Sequence, residues 1–147
     1  YCTSWKGKSW VISPQVIQQV YTGYFGEQVF KAILENAACN VGSLPEKIWE
    51  RADWVVNDKL YVDVKFMSDS DFNQHVNAQS WERKIRECGG SYIVINVPRY
   101  AGNYSFTHTI QLEGGANLPI INGLIDVETG AILDKNVQAV LEKLNIV

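Results

Sequence analysis

The sequence predicts an α/β fold in which a central mixed β-sheet is flanked by helices. Three observations lead to this prediction. Apolar residues recur at helical spacing in three separate segments, and strand-like runs lie between those segments. The composition, with 46% hydrophobic and 20% charged residues, is that of an ordinary globular protein. A chain of 147 residues is therefore expected to form one domain around one core.

The first helix is predicted between Pro14 and about Ala38. Ser13 and Pro14 are typical of an N-cap followed by proline at the first helical position. Two glycines interrupt the helical pattern, and Thr22 is able to cap a second helical piece. The segment is thus expected to be either two helical pieces or one bent helix.

Two further helices are predicted toward the C-terminus. One begins with Ser70 or Asp71 as its cap, runs to about Cys88 and is stopped by the glycines at positions 89 and 90. The other is expected to begin with Asp134 as its cap. The apolar residues of the two helices are Phe72, Val76, Trp81, Ile85 and Cys88 in the former and Val137, Val140, Leu141 and Leu144 in the latter.

Five strand-like runs are predicted between these helices. The first two are separated by Asn57-Asp58-Lys59, and because Asn and Asp tolerate left-handed turn conformations, this segment is expected to form a tight hairpin. The third run is almost continuously apolar, so it is expected to be covered on both faces and to end at Pro98. The runs span Lys47–Val56, Leu60–Phe66, Tyr92–Val97, Tyr104–Leu112 and Leu118–Val127.

Composition and spacing exclude several classes of protein. No apolar run approaches the roughly 20 residues that a membrane span needs, so no membrane partner is expected. Two histidines and the lack of a Cys/His cluster argue against a structural zinc site. The three cysteines, Cys2, Cys39 and Cys88, are an odd number without paired spacing, which favours reduced thiols and a cytoplasmic location.

The predicted hairpin brings two carboxylates together. With residues 57–59 as the turn, Trp54 lies opposite Val62. The same register places Asp53 directly across from Asp63. Directly opposed strand residues have Cβ atoms about 4.5–5.5 Å apart, where like charges are destabilising. The pair therefore needs a counterion, a shared proton or a bound cation, and a divalent ion fits best because hard cations take oxygen ligands.

Two more residues complete the candidate site. Lys65 lies on the same strand face as Asp63 and reaches the same point. Glu27 follows two glycines, which would let another backbone or a ligand approach closely. A simpler interpretation is that Asp53 pairs with Arg51 or Lys65 on an exposed polar strand face, and that Glu27 is a solvated helix residue.

Glu27, Asp53 and Asp63-Val64-Lys65, in this order, resemble the motif of the PD-(D/E)XK nuclease superfamily. The resemblance covers about residues 14–97. It implies a restriction endonuclease-like core of helix, three-stranded meander, helix and strand, to which residues 98–147 add strands and a helix.

The resemblance also implies a role for each residue. Asp53 corresponds to the central metal-bridging acid and Asp63 to the second acid. Glu27 corresponds to the acid of the first helix, and Lys65 to the catalytic lysine. Gln79 matches a polar residue that some members place beside the site.

The sequence departs from the family pattern in three places. Ala52 stands where the motif has proline, and Asp63 replaces the commoner glutamate. Only two strands of the meander are clear, and the third is expected near Val41–Leu44 or is missing.

The activity that the resemblance implies is phosphodiester hydrolysis by a metal-dependent endonuclease, with Mg²⁺ or Mn²⁺ held by Asp53, Asp63 and Glu27. DNA is favoured over RNA as substrate, and double-strand cutting by one small domain would imply a homodimer. One alternative is an RNA-cleaving toxin domain on the same fold, whose partner would be an inhibitor or immunity protein. Another is a nuclease-like module that only binds nucleic acid or a protein, although a pure binder gains nothing from opposed acids.

Basic residues around the site could contact phosphates, which supply most of the affinity in nucleic-acid complexes. Residues 1–100 contain eleven basic and eleven acidic residues, whereas residues 101–147 contain two and five. If cations neutralise the three proposed ligands, eleven basic residues face eight acids and the first region becomes about +3. The alternative to phosphate contact is that these basic residues lie on a solvated helix face or on a strand packed on the core. The candidates are Arg83, Lys84, Arg86, Arg99, Lys6 and Lys8.

Overall fold

The structure, a computed structural model, confirms the α/β class with a mixed sheet. A six-stranded sheet has helices on both faces, and a separate two-stranded hairpin precedes it in the chain. None of the described helices has the length and apolarity that a membrane crossing requires. The described residues are 2–5, 8–11, 13–68, 72, 81–89, 91–100 and 106–144.

The elements fall into strands of two to ten residues and three helices within the described ranges. The strands are β1 (Cys2–Trp5), β2 (Lys8–Val11), β3 (Val41–Gly42), β4 (Trp54–Val56), β5 (Leu60–Lys65), β6 (Ser91–Arg99), β7 (Phe106–Gln111) and β8 (Asn117–Asp126). The helices are α1 (Pro14–Asn36), α2 (Trp81–Cys88) and α3 (Asp134–Lys143).

The strand order of the large sheet is β3-β4-β5-β6-β8-β7. Strands β3, β4 and β5 form an antiparallel meander, so the third meander strand that the sequence left open is present at Val41–Gly42. Strands β5, β6 and β8 are parallel, and β7 is antiparallel to β8. Because β8 bonds directly to β6, the C-terminal addition extends the same sheet.

Helix α1 is one continuous helix. The Ser13 hydroxyl accepts a hydrogen bond from Val16 N at 3.3 Å, which confirms the predicted N-cap. The expectation that Thr22 caps a second piece is wrong, because its hydroxyl donates to Gln18 O at 2.8 Å within the helix. Gly26 does permit a close approach, since a Cβ there would lie 2.8 Å from Phe66 Cβ. The glycine thereby brings α1 against the end of β5.

The hairpin has the predicted register but a shorter first strand. Trp54 pairs with Val62, and the turn residues Asn57 and Asp58 have φ of 50° and 54°. The strand predicted from position 47 begins only at Trp54, because Pro45 leads into a short 3₁₀ helix at Glu46–Ile48.

Smaller differences concern where elements begin and end. Strand β6 continues through Pro98 to Arg99, with a register shift between Asn96 and Pro98 that accommodates the proline. Strand β8 spans Asn117–Asp126 and so begins and ends one residue earlier than expected. Leu133, not Asp134, occupies the N-cap position of α3. The predicted start of the second helix, at Ser70 or Asp71, lies outside the described residues.

The core lies on both faces of the sheet. Helices α1 and α3 cover one face and α2 covers the other. Strand β5 alternates between them, with Val62 and Val64 packed on the α1 side and Tyr61 on the α2 side. The predicted register, continued past Trp54, would place Ala52 opposite Val64, but Ala52 packs on the α2 side because the β4–β5 ladder ends at Trp54. The same alternation places Asp63, two residues after Tyr61, on the α2 side.

Candidate active site

Asp53 lies at the bend that leads into β4, just beyond the last pair of the β4–β5 ladder. Its Oδ2 accepts a hydrogen bond from Val64 N at 2.6 Å, and its own N–H donates to Val62 O at 2.9 Å. These two bonds hold Asp53 against β5. Burial, and after it the charge of Asp63, raises the pKa of Asp53.

Glu27 comes from α1 and contacts Asp53 in an open cleft. The cleft has a volume of about 910 Å³, and Glu27, Asp53 and Lys65 are among its lining residues. Burial, followed by the charge of Asp53 and a hydrogen bond with it, raises the pKa of Glu27 to about 7. Two carboxylates can share a hydrogen bond only when one of them is protonated, so this pair holds a proton near neutral pH.

Asp63 is buried in β5 and is surrounded by cations. It is 3% exposed. Lys65 Nζ lies 2.5 Å from its Oδ1, and Lys84 Nζ lies 3.1 Å from its Oδ2 and donates a hydrogen bond to it. The first contact is an ion pair without hydrogen-bond geometry, so Oδ1 accepts no hydrogen bond within the described part of the chain. Two ammonium groups thus compensate the burial of one carboxylate.

Trp81 supports both ammonium groups from the α2 side. Its indole is 2% exposed and lies 5.8 Å from Lys65 Nζ and 4.7 Å from Lys84 Nζ, measured to the ring centroid. Cations are attracted to the face of an aromatic ring at such distances. The indole therefore helps to hold the two lysines beside Asp63.

The three acids carry the oxygen ligands that hard divalent cations bind, but their side chains are not already arranged around a common point. Among residues that the structure describes, no group of three or more His, Cys, Asp or Glu side chains is arranged to hold a metal ion. Glu27 and Asp53 face the cleft, and Asp63 Oδ1 has no hydrogen-bond donor in the described part of the chain. Carboxylate oxygens are the ligands that Mg²⁺ prefers, so these three residues fit such an ion in type once Asp63 exchanges ammonium contacts for it.

The predicted phosphate-contacting residues are dispersed. Arg83 Nε donates to Glu87 Oε1 at 2.7 Å, Arg86 is exposed on α2, and Arg99 lies 3.7 Å from Asp126. Lys84 lies on Asp63 rather than on a solvated helix face. Gln79 and Lys6 lie outside the described residues, as does the side chain of Lys8.

Two contacts of Asp63 escaped the sequence-based prediction. Lys84 is one, although its spacing indicates it: it follows Trp81 by three residues and precedes Cys88 by four, on the buried side of α2. The other is Tyr92, whose hydroxyl lies 3.4 Å from Asp63 Oδ2 and donates to Arg51 O at 2.5 Å. Tyr92 sits in an apolar run, and nothing in the pattern of that run sets its hydroxyl apart.

Comparison with known proteins adds no relative to this picture. The chain matches no family model and no curated protein sequence. The nuclease resemblance therefore depends on Glu27, Asp53, Asp63 and Lys65 themselves, and it stays a prediction.

Proposed function

We propose that this protein is a divalent-metal-dependent endonuclease that hydrolyses phosphodiester bonds, with DNA favoured over RNA as substrate. The observation that carries the proposal is the convergence of Glu27, Asp53, Asp63 and Lys65 from α1, the bend before β4, and β5. The order of these residues is the one in the PD-(D/E)XK motif, and the helix, antiparallel meander, helix and parallel strand follow in the same sequence.

The acids would hold Mg²⁺ or Mn²⁺ in this proposal. Such an ion lowers the pKa of bound water and offsets negative charge on the phosphate. Glu27 and Asp53 line the cleft, where a substrate phosphate can approach them. The raised pKa of Glu27 indicates that the carboxylates are close enough for a positive charge beside them to be stabilising.

Lys65 would act on the phosphate or on the attacking water. It lines the cleft, and its ammonium is held by the ion pair with Asp63 and by the ring of Trp81. An ammonium fixed beside the reacting group can stabilise developing negative charge without reorganising during the reaction. Its side chain is 18% exposed, so that charge is only partly screened by water.

The test is cleavage of plasmid, branched DNA and tRNA, each with Mg²⁺, with Mn²⁺ and with chelator. We expect metal-dependent cleavage of at least one substrate, and a loss of about 100-fold or more in Asp53→Asn and in Lys65→Met. Asp58→Asn is the matched control, because it removes one carboxylate at an exposed turn whose φ of 54° suits asparagine.

The substrates and variants separate the alternatives. Cleavage confined to tRNA would favour the RNA-cleaving toxin domain over a DNA enzyme. Binding without cleavage under any divalent ion would favour the binding module. Cleavage that survives chelation, or that is equal in Asp53→Asn and the parent, would contradict the proposed site.

A further inference from the structure

Asp63 has two ammonium groups in contact with its single carboxylate. Lys65 contacts Oδ1 and Lys84 contacts Oδ2, so both oxygens have an ammonium neighbour. The two lysines differ in origin. Lys65 is two residues further along β5, whereas Lys84 reaches Asp63 from α2, across the space between helix and sheet.

The Lys84 contact is the more exposed of the two. Lys84 is 26% exposed, compared with 18% for Lys65, and its long flexible stem can turn toward water without moving β5. The ring of Trp81 lies 4.7 Å from Lys84 Nζ, so an aromatic face as well as the carboxylate holds the ammonium in the metal-free protein.

We propose that Lys84 is an internal competitor for the divalent cation at Asp63. Its ammonium occupies Oδ2 when no divalent ion is bound and leaves that oxygen when one binds. The reason is electrostatic: an ammonium and a divalent cation repel each other at contact distances in a partly buried site. In the metal-free protein the ion pair between Lys84 and Asp63 compensates the charge of a buried carboxylate. A cation that binds must break this ion pair, so its affinity is lower by the free energy of that contact. The released ammonium is then available to a substrate phosphate. This inference rests on the proposed function, because it takes Asp63 to be a cation ligand.

The first test measures metal binding rather than cleavage. Metal-free protein is titrated with Mn²⁺ by calorimetry, comparing the parent with Lys84→Met and with Lys59→Met. The control removes the same charge at the hairpin turn, at the other end of β5. We expect Lys84→Met to bind Mn²⁺ roughly three- to tenfold more tightly, as the loss of one ion pair implies. The control should stay within about twofold of the parent, since an exposed charge contributes little. Equal or weaker binding by Lys84→Met would overturn the proposal.

The second test uses the parent protein and so does not depend on a variant that folds. Lysines are acetylated briefly in chelator or in Mg²⁺, and the extent of labelling at each lysine is read by mass spectrometry. Lys84 should react several-fold faster with Mg²⁺ present, whereas Lys59 should not change. Labelling of Lys84 that is unchanged or slower would overturn displacement even if Lys84→Met binds metal more tightly, because a purely through-space effect would then suffice.

The same samples separate this inference from the proposed function. A protein that binds Mn²⁺ and releases Lys84 but cleaves no substrate would support the competitor role and contradict the nuclease. A parent that cleaves DNA with no change at Lys84 would support the nuclease and overturn the competitor role. If neither the parent nor Lys84→Met binds a divalent ion, both fall.

Discussion

The candidate site holds its acids in two surroundings, a cleft beside α1 and the packed interior beside α2, and it stabilises them differently. Beside α1, Glu27 and Asp53 line a cleft, where burial and the charge of Asp53 raise the pKa of Glu27 to about 7. On the α2 side, Asp63 is buried and contacts two lysines. A proton and an ammonium group thus serve the same electrostatic need within one site.

The difference follows from what each side can supply. The cleft side is open to water, so protonation is available there and depends on pH. The α2 side is packed around Trp81, where the ammonium groups of Lys65 from β5 and Lys84 from α2 supply the positive charge. The protonation state of Glu27 and Asp53 is therefore expected to change with pH, whereas the folding stability is expected to depend more on the charge of Asp63.

Removing the charge of Asp63 should have the largest effect. Asp63→Asn leaves Lys65 and Lys84 close together without the carboxylate that compensates them, because both ammonium groups contact this one side chain. We expect a loss of about 2–3 kcal/mol in the free energy of unfolding at pH 7 in chelator, measured by urea denaturation.

Asp58→Asn gives the reference for that measurement. It deletes the same charge at an exposed turn and should stay within about 0.5 kcal/mol of the parent. A loss of under about 1 kcal/mol in Asp63→Asn would mean that water, rather than Asp63, compensates the two lysines.

Removing the charge of Asp53 should raise the free energy of unfolding, by less than removal of the Asp63 charge lowers it. Asp53→Asn relieves repulsion with Glu27 and Asp63, and the amide oxygen can still accept the hydrogen bond from Val64 N. We expect the metal-free protein to gain up to about 1 kcal/mol, seen as a higher Tm in chelator. Clear destabilisation would show that the carboxylate is held by its bonds to β5 more strongly than it is repelled by its neighbours.

The sequence predicts most of this fold because its patterns are local. The N-cap at Ser13, the left-handed turn at Asn57-Asp58 and the apolar run of β6 are each decided by a few adjacent residues. It fails where a neighbour in space decides, since the proline within β6 is tolerated because the pairing of β6 with β8 shifts register there. The strand expected from position 47 fails for a local reason, because Pro45 leads into a 3₁₀ helix instead.

In the candidate site, too, some features follow from local sequence and others depend on packing. Hairpin register predicts Asp53 directly across from Asp63, because strand pairing is set by the turn, but the β4–β5 ladder ends at Trp54 and Asp53 lies just beyond it. It does not predict that Asp63 is buried or that Lys84 reaches it, since both depend on how α2 packs against the sheet. Periodicity places Lys84 on the buried side of α2, but only the packed structure shows which carboxylate it meets.

The smallest expected effect is a pH dependence confined to the cleft side. The pKa of Glu27 is about 7 in the folded protein, above its ordinary value of 4.5. Between these pH values the folded state keeps a proton that the unfolded chain releases, so stability falls as pH rises from about 4.5 to about 7. Glu27→Gln removes this loss, and partial exposure of the site keeps it smaller than the Asp53→Asn effect. The Tm of Glu27→Gln relative to the parent, measured in chelator, should therefore rise from pH 5 to pH 8. A difference that is constant across this range would mean that Glu27 titrates normally and shares no proton with Asp53.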